Sequence, residues 1–432
     1  MPSRMTARAD SPPSPPPRRC YVVCTEVPPN VVGGLGRYAE RMIPALAGSG
    51  VPVEVFGAAG PRRRPGTDRT GGVTLHRLRT AGAPGARVRP LVRIAGLLAF
   101  NVRVAARVLR ADRAGRSGRS GRADRSGAVV AVHDWMGCLA GILCRLLGRM
   151  PVVFHVHTCE HNPATGARRT AVTVGITALE TAQARLATLI VVPSAGMRDE
   201  LVARGWPPGR LRVVPHGFED PELVRLAALP DADRDRLRSE VRARYLPGGA
   251  GRLIVFAGRL SPHKGAHTLV RAVPALLRDH DDLRVVLVGG QSPGTGDAAE
   301  LARLIEREGV GRHVVATHRF LGAPEVFAHF LAADVCVFPS SYEPFGLVAV
   351  EAMALGRPVV VGPGYSPEVV GDGAVRCRTG SPAELAAALS RCLDDPGHAA
   401  ALARRGAAHV RARYSWARTA EATLATYAEA VH

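Results

Sequence analysis

Short runs of β-branched and aliphatic residues alternate along this chain with longer stretches whose apolar positions recur every three or four residues. Runs at 20–24, 51–56, 73–78, 128–132, 152–156, 189–192 and 211–214 read as strands of the first half. Those at 253–256, 283–288, 314–317, 335–338 and 358–361 read as strands of the second. Helical periodicity lies between them, for example at 35–47, 168–187, 264–277 and 345–355. Strand–helix alternation of this kind signals parallel α/β units. The pattern predicts an α/β protein of two doubly wound Rossmann-like domains facing across a cleft, with the ligand site between them. The expected divisions are a tail over 1–19, a first domain over 20–220, a charged linker over 221–250, a second domain over 251–413, and a helix over 414–432 packing back on the first domain.

Composition narrows the class. At 432 residues the chain exceeds one ordinary core, which agrees with two domains. No apolar run approaches the ~20 residues of a membrane-spanning helix. The Ser/Pro/Arg-rich start lacks the apolar core of a secretory signal, so a cytoplasmic protein is expected. Cys20, Cys24, Cys138, Cys144, Cys159, Cys336, Cys377 and Cys392 form no close pair, the usage of free thiols. The formal charge of +20 is concentrated: residues 60–125 hold seventeen arginines and three acids. Part of that excess is the 114–127 stretch, with Arg at every third position, which reads as a solvated loop. No RNA-binding aromatic motif accompanies the arginines, so a nucleic-acid partner is not expected. The apolar stretch 91–110, with Arg93, Arg103, Arg107 and Arg110, suits a packing helix of the first domain, and it also suits a lipid surface.

The chemistry concentrates in the second half. Lys264 is the only lysine among 57 basic residues. A chain that otherwise uses arginine and keeps lysine here needs a compact ammonium in place of a planar fork. It sits in Gly258-Arg259-Leu260-Ser261-Pro262-His263-Lys264-Gly265, between a strand and a helix. Arg259 and Lys264 on such a turn, beside a helix N-terminus, suit a diphosphate. The second constellation is Glu343-Pro344-Phe345-Gly346-Leu347-Val348-Ala349-Val350-Glu351. A helix beginning near Phe345 would place Glu343 just before it and Glu351 two turns along. It would leave the amides of Phe345, Gly346 and Leu347 free for an anion or a sugar oxygen. Carboxylates also suit vicinal sugar hydroxyls, since each accepts two hydrogen bonds. Read in isolation, the pair is a capping glutamate and an exposed helix glutamate.

The Gly258–Gly265 turn, the segment 334–340 and the Glu-x7-Glu segment together resemble the C-terminal half of glycosyltransferase family 4. The resemblance runs over roughly 21–427 and is most specific over 256–370. It implies a GT-B fold and a retaining transferase of the glycogen synthase, sucrose synthase and mannosyltransferase kind. It implies that Arg259 and Lys264 hold the donor diphosphate and that Glu351 binds the nucleotide ribose. It implies that Glu343 and the Phe345–Leu347 amides hold the transferred sugar. On the same ground Gly33, Gly34 and Gly36 close on the donor, and His157 is the active-site histidine. His133-Asp134-Trp135 resembles an acceptor-side motif. The partners implied are a nucleotide-sugar donor, as co-substrate and not cofactor, and a hydroxyl acceptor, from a specialised metabolite to a glycolipid or polysaccharide. Two positions depart from the pattern: Pro215-His216-Gly217 where relatives carry Asn, and Gly364-Tyr365-Ser366-Pro367-Glu368 where Gly-Gly-x-x-Glu is usual.

Rival readings remain on the residues alone. Gly34-x-Gly36-x-x-Ala39, with Glu54 downstream, fits an NAD(P)-dependent oxidoreductase, although eight residues separate the glycines from the preceding strand. His155-x-His157-x-x-Glu160-His161 fits a metal cluster. The reading preferred is no metal, because the two cations supply the positive field and the only Asp-x-Asp, Asp231-Ala232-Asp233, lies in the charged linker.

Overall fold

A computed structural model describes residues 15–28, 34–59, 65–80, 90–117, 127–159, 170–290 and 297–432. Gly33, Glu160, His161 and most of the Arg-repeat stretch lie outside the described residues.

The first sheet is built from β1 (Arg19–Val23), β2 (Val53–Ala58), β3 (Gly66–Thr70), β4 (Val73–Leu78), β5 (Ala128–His133), β6 (Val152–His155), β7 (Leu189–Val192) and β8 (Leu211–Val213). Its spatial order is β3-β4-β2-β1-β5-β6-β7-β8. All neighbours are parallel except β3 with β4. The connecting helices are α1 (Gly34–Gly48), α2 (Pro90–Ser117), α3 (Cys138–Gly148), α4 (Ala171–Leu186) and α5 (Ala195–Ala203). β5, β6 and β7 are buried at every position, which is why they read as unbroken apolar runs. β3 escapes that reading. Its Gly-Thr-Asp-Arg-Thr sequence is exposed throughout and is held by an antiparallel ladder to β4.

Residues 221–250, expected as a linker, form α6 (Pro221–Ala227) and α7 (Asp231–Ala243). Leu223, Leu226, Val241 and Leu246 are buried in the same core cluster as β9 residues of the second sheet, so these helices pack against that domain. Part of the charge that suggests a linker faces outward, while Arg238 and Arg242 of α7 turn inward and pair with Asp334.

The second sheet contains β9 (Leu253–Ala257), β10 (Arg284–Val288), β11 (Val314–Ala316), β12 (Val335–Phe338), β13 (Val359–Val361) and β14 (Val375–Arg376). All neighbours are parallel, in the order β11-β10-β9-β12-β13-β14. Its helices are α8 (Ala266–Leu276), α9 (Asp297–Arg307), α10 (Ala323–Ala332), α11 (Leu347–Ala354), α12 (Pro367–Val370), α13 (Pro382–Asp394) and α14 (Pro396–Arg413). Strand order reverses between β9 and β12 here, and between β1 and β5 in the first sheet. The carboxyl ends of such strand pairs are where doubly wound sheets bind ligands. α15 (Trp416–Val431) then returns to the first sheet, burying Ala420, Tyr427 and Ala430 against Cys20, Tyr38, Val55 and Val129. The eight cysteines are buried and unpaired. Among the described residues no helix is long and apolar enough to cross a membrane.

Candidate functional site

The turn leaving β9 runs through a 3-10 turn, Pro262–Lys264, into Gly265. Gly265 has φ +83, and a Cβ there would stand 2.2 Å from the Pro339 carbonyl oxygen. Only glycine lets the turn lie so tightly against the exit of β12. The Ser341 amide donates to the His263 carbonyl at 2.9 Å and fastens the two loops. Lys264 is thereby delivered to Glu343, its Nζ donating to Oε2 at 2.7 Å with both side chains largely buried. Arg259 stands exposed on the same turn, with no hydrogen-bond partner among the described residues.

α11 begins at Leu347, two residues later than the pattern suggests. Gly346 adopts φ +87, outside helical space, and turns the chain into the helix; a Cβ there would meet Tyr365 Cε1 at 2.1 Å. The amides of Phe345 and Gly346 therefore precede the helix, and Leu347 opens it. Glu351, expected beside a ribose, is only 2% exposed and faces Arg37 of α1. Arg37 Nη1 donates to its Oε2 at 3.3 Å, and Nη2 donates to Oε1. Burial raises the Glu351 pKa, and the Arg37 charge draws it back down. Arg37 was not singled out from the sequence. Its one signal is its place just after the glycine turn, and nothing local pairs it with a residue more than 300 positions away.

On the first-domain side, Gly34 opens α1 and the Gly36 amide donates to Glu26 Oε2 at 3.2 Å. The Glu26 carboxylate thus answers the partial positive charge of the helix end that the resemblance turns toward the donor. At the ends of β5 and β6, His133 Nδ1 lies 2.9 Å from His157 Nε2, and His157 Nδ1 lies 3.3 Å from His216 Nε2. Tyr427 OH pairs with His155 Nε2 at 2.9 Å. Burial holds all four imidazoles neutral: His133, His155 and His157 fall well below the usual histidine value, and His216 falls to about 3. In a neutral chain each ring donates once and accepts once, so the tautomer of His157 is tied to those of His133 and His216. Asp134, expected at the acceptor, is 4% exposed, and its carboxylate accepts the His157 amide at 2.8 Å. Asp134 also carries φ +53, strain of the kind that collects at functional turns. It positions His157. Trp135 is half-buried beside it, packed on the first-domain core.

His133, His155 and His157 bring one nitrogen each within 4.8 Å of one another. Ring nitrogens of all three are already engaged, in the His133–His157 pair and the His155–Tyr427 pair. His133 and His155 are stacked with centroids 4.4 Å apart and planes at 20°. The oxidoreductase reading is corrected by placement. Glu54 is the second residue of β2, at the sheet edge opposite the ligand-bearing carboxyl ends, and pairs with Arg19 at 2.7 Å. Asp231 of the Asp-x-Asp is 95% exposed in the first turn of α7.

The two halves meet across the cleft. The Glu368 carboxylate accepts the amides of Ala195 and Gly196 at 2.7 and 3.3 Å, capping α5 from the other domain. Tyr342 OH accepts the Cys159 amide at 3.2 Å. The His216 ring lies 5.1 Å from that of Phe345, which joins the imidazole chain to the loop carrying Glu343.

The family described as "Glycosyl transferase 4-like domain" matches residues 33–217, and the one described as "Glycosyl transferases group 1" matches residues 251–395. Glycogen synthase of Mycobacterium tuberculosis is 30% identical over 415 residues, covering 95% of this chain and 94% of that protein. The D-inositol 3-phosphate glycosyltransferase of Kineococcus radiotolerans is 32% identical over 424 residues, covering 92% and 91%. The catalytic domain of Arabidopsis thaliana starch synthase IV, bound to ADP and acarbose, superposes with a TM-score of 0.73 at 16% identity, covering 96% of this chain and all of that one.

Proposed function

The chain belongs to the group 1 glycosyltransferases, with the GT-B fold, and on that premise we propose that it moves a sugar from a nucleotide diphosphate to a hydroxyl acceptor with retention of configuration. The observation that carries this reading is the Lys264–Glu343 pair at the carboxyl end of β9, where strand order reverses. Arg259 and Lys264 neutralise the donor diphosphate, and Glu351 takes the ribose in exchange for its present partner Arg37. Glu343 and the backbone of Phe345–Leu347 hold the transferred sugar. As the bond from the anomeric carbon to the leaving phosphate lengthens, negative charge grows on that phosphate, where the two cations stabilise it. The phosphate takes the acceptor proton as the acceptor oxygen attacks the same face, so no separate base is needed. His157, held by Asp134, His133 and His216, orients the sugar from the first domain. His133 and Trp135 edge the acceptor side.

A donor panel tests this: UDP, GDP, ADP and dTDP sugars screened by thermal shift, then turnover measured in excess EDTA. At least one sugar nucleotide should raise Tm, because a ligand that binds only the folded chain stabilises it. Transfer should persist without divalent cations. Activity lost in EDTA and restored by Mg²⁺ or Mn²⁺ overturns the mechanism. A second reading, a transferase working at a membrane on a glycolipid, is favoured by Val92, Ile94, Leu98 and Val102 of α2, which are all exposed.

A further inference from the structure

On the outer side of the second domain, away from the cleft, four arginines line a cavity of about 340 Å³: Arg234 of α7, Arg357 after α11, and Arg404 and Arg411 of α14. No Asp or Glu is among the described residues lining it, and small residues such as Ala400 and Ala403 keep its floor open.

Part of this positive charge has a structural use. Arg234 Nη2 donates to the Ala227 carbonyl at 3.1 Å, Arg357 Nη1 to those of Leu331 and Ala333 at 3.0 and 3.2 Å, and Arg411 Nη2 to that of Ala354 at 3.3 Å. These carbonyls close α6, α10 and α11, so three helix C-termini converge here. Each supplies only about half a negative charge. Asp231 stands 3.8 Å from Arg234 and is 95% exposed to water, and Asp334, whose charge also reaches Arg357, is held by Arg238 and Arg242. Four full charges therefore exceed what three helix ends, one solvated carboxylate and one carboxylate shared with two other arginines neutralise. Arg404 has no hydrogen-bond or ion-pair partner among the described residues, and the Arg234 Nε is buried without one. Burial depresses the Arg357 pKa, with the Arg238 and Arg234 charges pushing the same way and Cys336 and Asp334 opposing them.

We propose that this pocket is a second anion site, which takes the phosphoryl group of a small phosphorylated metabolite or free phosphate. Planar guanidinium forks match phosphate oxygens two at a time, and several converging forks outcompete water for a dianion. The site is separate from the donor diphosphate site, and its wall at Ala354–Gly356 closes the same helix that carries Glu351.

The test is equilibrium dialysis of the full chain against labelled inorganic phosphate and against glucose 6-phosphate, with ionic strength held constant by potassium chloride. Three proteins are compared: the wild type, Lys264→Ala to remove the donor cleft, and an Arg404→Ala/Arg411→Ala double variant. Both of the latter arginines are exposed, so the double variant should fold, and an unchanged urea midpoint confirms it. Lys264→Ala should bind one anion, and the wild type should keep that same site at the same affinity, beside any binding in the donor cleft. The double variant should bind it roughly a hundredfold more weakly, since two charge-assisted contacts are lost. Tighter binding of the ester assigns the site to a phosphorylated metabolite, and equal binding assigns it to free phosphate. Three results overturn the proposal: binding lost in Lys264→Ala, wild-type affinity in the double variant, or no saturation by about 10 mM of either probe. None of these readouts needs transfer activity, so failure here leaves the transferase reading standing.

Discussion

Lys264 stands 2.7 Å from the carboxylate of Glu343, so an arriving diphosphate must share or capture a cation already engaged. Lys264→Ala should lower kcat/KM by roughly 10²–10³, the loss expected for one group that stabilises transition-state charge. Lys264→Arg should recover only part of this, because a planar fork does not fit where a compact ammonium does. Near-normal turnover of Lys264→Ala would sink the diphosphate assignment. The imidazole chain makes a separate prediction in pH. Folding holds His133, His155, His157 and His216 neutral, His216 down to about 3, whereas the unfolded chain titrates them near 6.5. Below pH 6.5 the unfolded state therefore binds more protons, and stability must fall as pH falls toward the folded values. Each histidine contributes a slope of up to about 1.4 kcal/mol per pH unit. Urea midpoints should drop steadily from pH 7 to pH 5, and His216→Asn should flatten the profile by about one histidine's share. A profile that stays flat over that range contradicts the neutral stack.

At the scale of elements, α2 has two parts. Phe100, Val104 and Val108 are fully buried on the first sheet. Asn101 donates to the Met136 carbonyl and accepts the Ala140 amide, which sets residue 101 level with the start of α3. The turns before it extend beyond α3 by roughly 15 Å at ~1.5 Å per residue. They carry Val92, Ile94 and Leu98 at 41–48% exposure, with Val102 at 52% just after. Arg93 and Arg103 flank this apolar strip, the arrangement of a helix lying at an anionic lipid surface. The chain should float with anionic vesicles at low salt and release at high salt. Leu98→Glu/Val102→Glu should abolish flotation without changing Tm, since both side chains are already in water. Absence of flotation in the wild type would leave α2 as a packing helix only.

At the scale of the whole molecule, one of the contacts that join the two domains is the ion pair of Arg37 and Glu351. Removing one partner of a buried pair strands the other charge, at a cost of about 3–5 kcal/mol. Arg37→Ala should therefore lower stability by that order in urea denaturation. Adding Glu351→Gln should restore part of it, because a neutral amide needs no countercharge. If Arg37→Ala is as stable as wild type, the pair is not a structural tie between the domains.

Most strands of both sheets were legible because a doubly covered parallel strand is apolar at nearly every position, as β5, β6 and β12 are, whereas β3 and the two-residue β14 were not. Lys264 stood out through its residue type alone, and the Glu343–Glu351 spacing through its place on a helix entry. Exposed β3 left no hydrophobic trace, and the charge carried by α6 and α7 hid their buried Leu223, Leu226 and Val241. The partners of the candidate residues were not legible at all. Arg37 with Glu351, Glu368 with the α5 amides and His216 with His157 each join residues tens to hundreds of positions apart. Periodicity records only whether a side chain faces core or solvent, which is a local property. Which charge meets which across a cleft depends on how two independently folded sheets close on each other, and that is decided only in the tertiary structure.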